Sequence, residues 1–186
     1  MNDMSDSKDP YNSLIVNIFG GPGVVKSTTA AHLFAELKWR QVSVEHVNEY
    51  VKGKVYEKSF QALDHQIYIF GKQLHYIKRC ASDVDVVVQD ASLLNSLVYN
   101  QDKTSNTFKD LVIEEYNKFD NLNIFIERDW PYDPVGREQT ESEAKKVDRD
   151  VKEMLEQLYL EYITFNSGPE NIDSILDAVE SKLLSS

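Results

Sequence analysis

The chain has 186 residues, 41% of them apolar and 27% charged, the balance of a soluble globular protein long enough to bury a sizeable core. Its net charge of −11 argues against a polynucleotide substrate, since a protein that grips the phosphate backbone shows a basic face; a small phosphorylated ligand held by a few cations fits better. No apolar run approaches the roughly 20 residues of a membrane span, and the single cysteine, Cys80, excludes an internal disulfide and suits a reducing cytoplasm.

Residues 1–13 are polar and acidic rather than basic-then-apolar, so they read as a short disordered lead and not a signal peptide. Residues 14–186 read as one domain. The run Leu14 to Phe19 predicts a buried strand, and Ala30 to Leu37 a helix. Val42 to Val47 is a second strand. Phe60, Leu63, Ile67, Phe70, Leu74 and Ile77 then recur near the 3.6-residue period of a helix. Val84 to Val88 is a third strand, Asp110 to Phe119 a helical zone and Leu122 to Ile126 a fourth strand. A long charged helix spans Glu138 to Leu160, a short strand Tyr162 to Phe165, and a last helix Ile172 to Leu184, after Pro169. This alternation predicts an α/β fold, a parallel five-stranded sheet with helices on both faces. Ligands of such sheets sit beyond the carboxyl ends of the strands.

The segment between the first strand and the first helix follows the pattern G-x-x-x-x-G-K-[ST] with one departure. Gly20, Lys26 and Ser27 hold their places; Val25 stands where the second glycine belongs. Backbone N–H groups across Gly21, Pro22 (which has none), Gly23, Val24, Val25, Lys26, Ser27 and Thr28, with a helix N-terminus behind them, would cradle the phosphates of a nucleoside triphosphate. Lys26 would sit against the β- and γ-phosphates and the Ser27 hydroxyl would ligate Mg²⁺. A β-branched residue with positive φ is an outlier worth about 1–3 kcal/mol of strain. If Val25 must take a glycine-like conformation, that cost falls on the loop or on the bound phosphates.

The strand-end rule draws attention to Asn48-Glu49-Tyr50, Gln89-Asp90 and Glu127-Arg128. Phosphoryl transfer needs cations for the phosphoryl oxygens, a carboxylate for the metal and a carboxylate for the acceptor hydroxyl. Asp90 is placed to hold Mg²⁺ directly or through water, and Glu49 to act as general base. Gln66 and Gln73, two turns apart on the middle helix, read either as contacts to a substrate ring or as surface glutamines. The four histidines show no metal-ligand spacing.

The loop Pro131-Tyr132-Asp133-Pro134-Val135-Gly136-Arg137 resembles the lid of small-molecule kinases, in which Arg137, with Arg128 or Arg149, would close over the phosphates. Taken together, Gly20-Gly21-Pro22-Gly23, Lys26-Ser27-Thr28-Thr29-Ala30, Glu49-Tyr50, Asp90 and Tyr132 to Arg137 resemble small AAA-type P-loop ATP-binding proteins encoded by bacteriophages. These are similar to the kinase domain that phosphorylates nicotinamide riboside and, more distantly, to deoxynucleoside kinases. The resemblance runs from about Ile15 to Leu176. It implies a nucleoside-kinase-like P-loop NTPase fold, a three-layer sandwich with a lid, with Mg-ATP as donor and a nucleoside, nucleotide or related metabolite as acceptor facing Glu49. It also implies the cytoplasm of a phage host. Two departures stand out: Val25, and Ala91-Ser92 after Asp90 where Ser-Pro is expected. They keep a second reading open, a degenerate P-loop protein that binds nucleotide weakly and acts through a protein partner. An ATPase that drives a partner, and a kinase of hydroxymethylated pyrimidine in DNA, are further alternatives. A homodimer also stays open.

Overall fold

The apolar runs become the strands of one sheet. The computed structural model describes residues 11–99, 105–129, 131–132 and 139–185. Strands β1 (Leu14–Phe19), β2 (Val44–Val47), β3 (Val86–Gln89), β4 (Asp120–Glu127) and β5 (Ile163–Asn166) lie in the order β2-β3-β1-β4-β5, with every neighbouring pair parallel. All six residues of β1 are buried, as expected for the central strand of a sheet covered on both faces.

Seven α-helices are described: α1 (Lys26–Trp39), α2 (Tyr50–Tyr56), α3 (Gln66–Lys78), α4 (Asn95–Val98), α5 (Asn106–Tyr116), α6 (Glu141–Gln157) and α7 (Ile172–Ser185). Leu14, Val16 and Ile18 pack with Leu33 and Leu37 of α1 and Ile175 and Val179 of α7. Ile15 and Phe19 point the other way, onto Phe70 and Ile77 of α3, Val112 of α5, and Val151 and Leu155 of α6. The two-residue alternation of β1 therefore feeds two separate cores and produces the three-layer α/β sandwich that the chain order predicts. No helix among the described residues is long and apolar enough to cross a membrane.

Several boundaries differ from the sequence reading, each for a local reason. The expected 60–77 helix breaks at His65 (φ −116°, ψ 87°) into a 3-10 turn, Phe60–Asp64, and α3. The break rotates the apolar face: Ile69, Phe70, Gln73 and Ile77 are buried, while Ile67 is 65% exposed. Helix α5 starts at Asn106, four residues before the expected helical zone, because the Ser105 hydroxyl caps it by accepting from the Phe108 amide. Helix α6 starts at Glu141 rather than Glu138 because Thr140 and Glu143 form a reciprocal capping box. The short helices α2 and α4 were not expected from periodicity, since neither is long enough to show one. The lead expected over 1–13 overlaps the described residues only at its end. There Ser13 is buried, its hydroxyl bonded to the Ala81 carbonyl at 2.7 Å, and Tyr11 lies 4.9 Å from the Phe119 ring.

A line of side-chain amides crosses the core between sheet and helices. Asn17, fully buried on β1, donates to Asn121 at 2.9 Å and Asn123 at 3.1 Å on β4, and accepts from Gln89 on β3 at 2.6 Å. Gln73 of α3 approaches Gln89 at 3.5 Å and accepts the Tyr50 amide at 3.2 Å. Buried amides are tolerated only when bonded in this way. The line ends at the first residue of α2, beside the strand-end cleft.

Candidate functional site

In the order β2-β3-β1-β4-β5 the chain runs from β1 to one side and from β3 to the other, so the strand order reverses between β1 and β3. Crevices at such a reversal are where open parallel sheets hold ligands. Here the loop of residues 20–25 follows β1 and Asp90 follows β3.

The loop turns sharply through Gly23 (φ 85°) and Val25 (φ 54°, ψ 23°) before α1 begins at Lys26. Val25 thus takes the left-handed conformation natural to glycine, with strain of about 1–3 kcal/mol built into the loop. It supplies no capping side chain to α1. The first-turn N–H groups of that helix, which lack intrahelical partners, are of the kind that binds anions. Lys26 donates from Nζ to the Gly21 carbonyl at 2.8 Å. Burial pushes its ammonium below the usual lysine value, while Glu49, Asp90 and Asp148 pull it back up.

Glu49 and Asp90 are brought together by backbone as well as charge. Asp90 is 2% exposed, and its Oδ1 accepts the Glu49 amide at 3.0 Å. Gln73 holds the next amide, that of Tyr50. Two donors at the start of α2 that would otherwise be orphaned are therefore tied to β3 and α3. Burial, with Asp90 adding to it, raises the Glu49 carboxyl above the ordinary value of 4.5, and Lys26 and Lys52 oppose the rise. Lys52 of α2 reaches the Ser27 hydroxyl at 3.4 Å. Burial also raises the Tyr99 phenol, and the negative charges of Glu49 and Asp148 add to the rise.

On the other side of the loop, Arg128 and Asp148 form a partly buried pair, with Nε to Oδ2 at 2.7 Å and Nη2 to Oδ1 at 3.2 Å. Arg128 Nη2 also donates to the Pro22 carbonyl at 2.8 Å, and Asp148 Oδ1 accepts the Gly21 amide at 2.6 Å. The Arg128 guanidinium lies 5.9 Å from the Tyr132 ring centre, and the Tyr132 hydroxyl donates to the Gln139 carbonyl. Gly21 is obligatory here: a Cβ would stand 2.5 Å from the Ala144 carbonyl oxygen.

Of the residues singled out from the sequence, Lys26, Glu49, Asp90 and Arg128 share one rim, with Ser27 at the first turn of α1. The Gly21 amide faces Asp148 rather than joining the other loop amides. Thr28 and Arg149 are exposed. Arg137 lies outside the described residues, as does the loop 133–138 around it. Gln73 is neither a surface glutamine nor a free substrate contact, since both ends of its amide are engaged. Asp148, Lys52 and Tyr99 escaped the sequence reading. Asp148 sits within a charged stretch, Lys145 to Asp150, where nothing local sets it apart from a solvated helix face.

The donor set fits the expected ligands in kind. A serine hydroxyl and an aspartate carboxylate are hard oxygen donors suited to Mg²⁺, and a strand–loop–helix turn with a lysine suits a polyphosphate.

A protein-family model described as "AAA domain" matches residues 15–171. No curated protein matches the chain in sequence. Among solved structures, the chain is similar to a crystal structure of NadR protein in complex with NR, at a TM-score of 0.69 and 16% identity. The match covers 91% of this chain and 52% of the other, so the chain spans about half the length of that protein. At that identity the likeness is one of fold, and the fold is that of a P-loop NTPase.

Proposed function

The chain belongs to the AAA domain family, and from that premise we propose that it is an ATP-dependent phosphotransferase acting on a nucleoside, nucleotide or related small metabolite. The observation that carries this reading is the grouping of Lys26, Glu49 and Asp90 at the strand-order reversal, with burial raising the Glu49 carboxyl above its ordinary value. The fold likeness to a protein solved with NR supports a small-molecule acceptor.

Ser27 and Asp90 would hold Mg²⁺, which would supply charge neutralisation at the phosphates of ATP. Lys26 leaves or shares its bond to the Gly21 carbonyl and places its charge against the phosphates. Arg128, at the opposite lip of the loop, adds a second cation. Glu49 takes the proton of the acceptor hydroxyl as that oxygen gains the γ-phosphoryl group and ADP departs. On the sequence alone, Arg137 is assigned to close over the phosphates.

The strain at Val25 favours a second reading, a nucleotide site with little or no turnover. Incubation with Mg-ATP and a panel of nucleosides separates the two. ADP release that depends on one acceptor and yields its phosphorylated product is the expected result. Acceptor-independent ADP release would replace the kinase with an ATPase, and nucleotide binding without product would favour the second reading.

A further inference from the structure

Arg128 is fixed on three sides. Asp148 engages Nε and Nη2 with its two oxygens, the Pro22 carbonyl takes Nη2 as well, and the Tyr132 ring lies 5.9 Å from the guanidinium. The remaining nitrogen, Nη1, is buried and has no hydrogen-bond partner among the described residues. The Arg128 side chain is only 9% exposed, so Nη1 is a charged donor withdrawn from water with nothing to bond. Such a group is costly unless a ligand completes it. Its surroundings say where that ligand sits: a Cβ built on Gly23 would lie 3.4 Å from Nη1 and 2.9 Å from Tyr132 Cδ2. Nη1 therefore stands at the lip of the phosphate loop beside Gly23, whose missing side chain lets Arg128 and the Tyr132 ring approach the loop backbone closely.

Asp148 makes this arrangement. Its carboxylate spans Nε and Nη2, which blocks rotation of the guanidinium and leaves Nη1 as the guanidinium nitrogen with no hydrogen-bond partner among the described residues. The same Oδ1 accepts the Gly21 amide at 2.6 Å, so α6 is tied to the loop it faces. We propose that Asp148 is a positioning residue for polyphosphate binding: it holds Arg128 so that Nη1 donates to an anionic oxygen of the bound phosphate chain beside Gly23. The inference rests on the nucleotide-binding part of the function proposed above.

The test is calorimetric titration of Mg-ATP and of inorganic tripolyphosphate into the unmodified chain, Asp148→Asn, Arg128→Gln and the double variant, with thermal melting as a check on folding. Asparagine keeps one oxygen but turns an NH₂ group toward an arginine donor. Asp148→Asn should weaken both ligands by roughly tenfold to a hundredfold, the range of one charge-assisted bond. The double variant should be no weaker than Arg128→Gln alone, because Asp148 acts through Arg128. Asp148→Glu, which retains the charge and displaces the carboxylate by one methylene, keeps the test valid if asparagine prevents folding; it too should weaken binding. Unmodified or tighter affinity in the Asp148 variants, or losses that add in full in the double variant, would overturn the positioning role and leave the kinase reading intact. Absence of binding by the unmodified chain would overturn both.

Discussion

Asp90 Oδ1 accepts the backbone amide of Glu49 at 3.0 Å, so the carboxylate that ends β3 fixes the position of the carboxylate that follows β2. Among the described residues, only one oxygen of Asp90 is used in this way. One side chain can thus hold Glu49 in place with Oδ1 while offering charge to a cation, as the proposed function requires, and the two roles are separable by substitution.

Asparagine at position 90 keeps an oxygen for the Glu49 amide and removes the charge. Asp90→Asn should retain the melting temperature to within a few degrees while raising the Mg²⁺ concentration needed for half-maximal transfer by about tenfold or more. Since Asp90 also helps raise Glu49, the acid limb of the pH–rate profile should move to lower pH. Magnesium titration at several pH values reads both effects, and an unchanged metal requirement would remove Asp90 from the metal site.

The raised Glu49 carboxyl makes two signed predictions. In catalysis, the base is active only when ionised, so kcat/KM should fall on acidification through a pKa above 4.5, and Glu49→Gln should remove that limb with a loss of about 10²–10⁴ in rate. In stability, a carboxyl whose folded pKa is raised favours folding at pH values below its unfolded pKa. That contribution is lost as pH rises through the folded value. Glu49→Gln should therefore melt higher than the unmodified chain near neutral pH, with the advantage vanishing in acid. A variant that melts lower at neutral pH would contradict the burial argument.

Val25 already occupies the left-handed region in the loop as it stands. If the loop keeps this geometry when phosphates bind, the strain is present in both states and cancels from the affinity. Val25→Gly should then stabilise the fold by about 1 kcal/mol, after allowance for the greater chain entropy of glycine. The corresponding rise in melting temperature is about 2–4 °C. The Kd for Mg-ATP should change by less than about threefold, since no bonding group is lost or gained. A large gain in affinity would show instead that the valine forces the loop away from its binding geometry.

Gln73 joins the amide line of the core to the start of α2. Gln73→Leu leaves the Tyr50 amide without its acceptor, and a buried unsatisfied donor costs about 1–3 kcal/mol. Urea unfolding should show that loss. Because Tyr50 adjoins Glu49 while the phosphate loop lies on another strand, the KM for the acceptor should rise more than the Kd for nucleotide. Equal effects on both would place Gln73 in general stability alone.

The phosphate loop, the strand ends and the alternation of elements were legible because their signals are local: a run of apolar residues, a spaced glycine–lysine–serine motif, a carboxylate directly after a strand. Helix ends were read less well. Ser105 sets one through a hydroxyl bond and Thr140 another through a capping box with Glu143, neither of which periodicity registers. The rotation of α3, which exposes Ile67 and buries Gln73, followed from one non-helical residue, His65.

By itself the chain's order of residues determined that a nucleotide-type loop opens the first helix at Lys26, that Glu49 and Asp90 follow strands, and that Val25 breaks the motif. Periodicity and spacing act over a few residues, and these features lie within that reach. Only the tertiary structure decided that Val25 takes a left-handed conformation, that Gln73 is a core residue, and that Asp148 lies against the loop after β1. The reason is separation along the chain: Gly21 and Asp148 are 127 residues apart, and their 2.6 Å contact exists only because packing on the sheet sets α6 against the loop after β1.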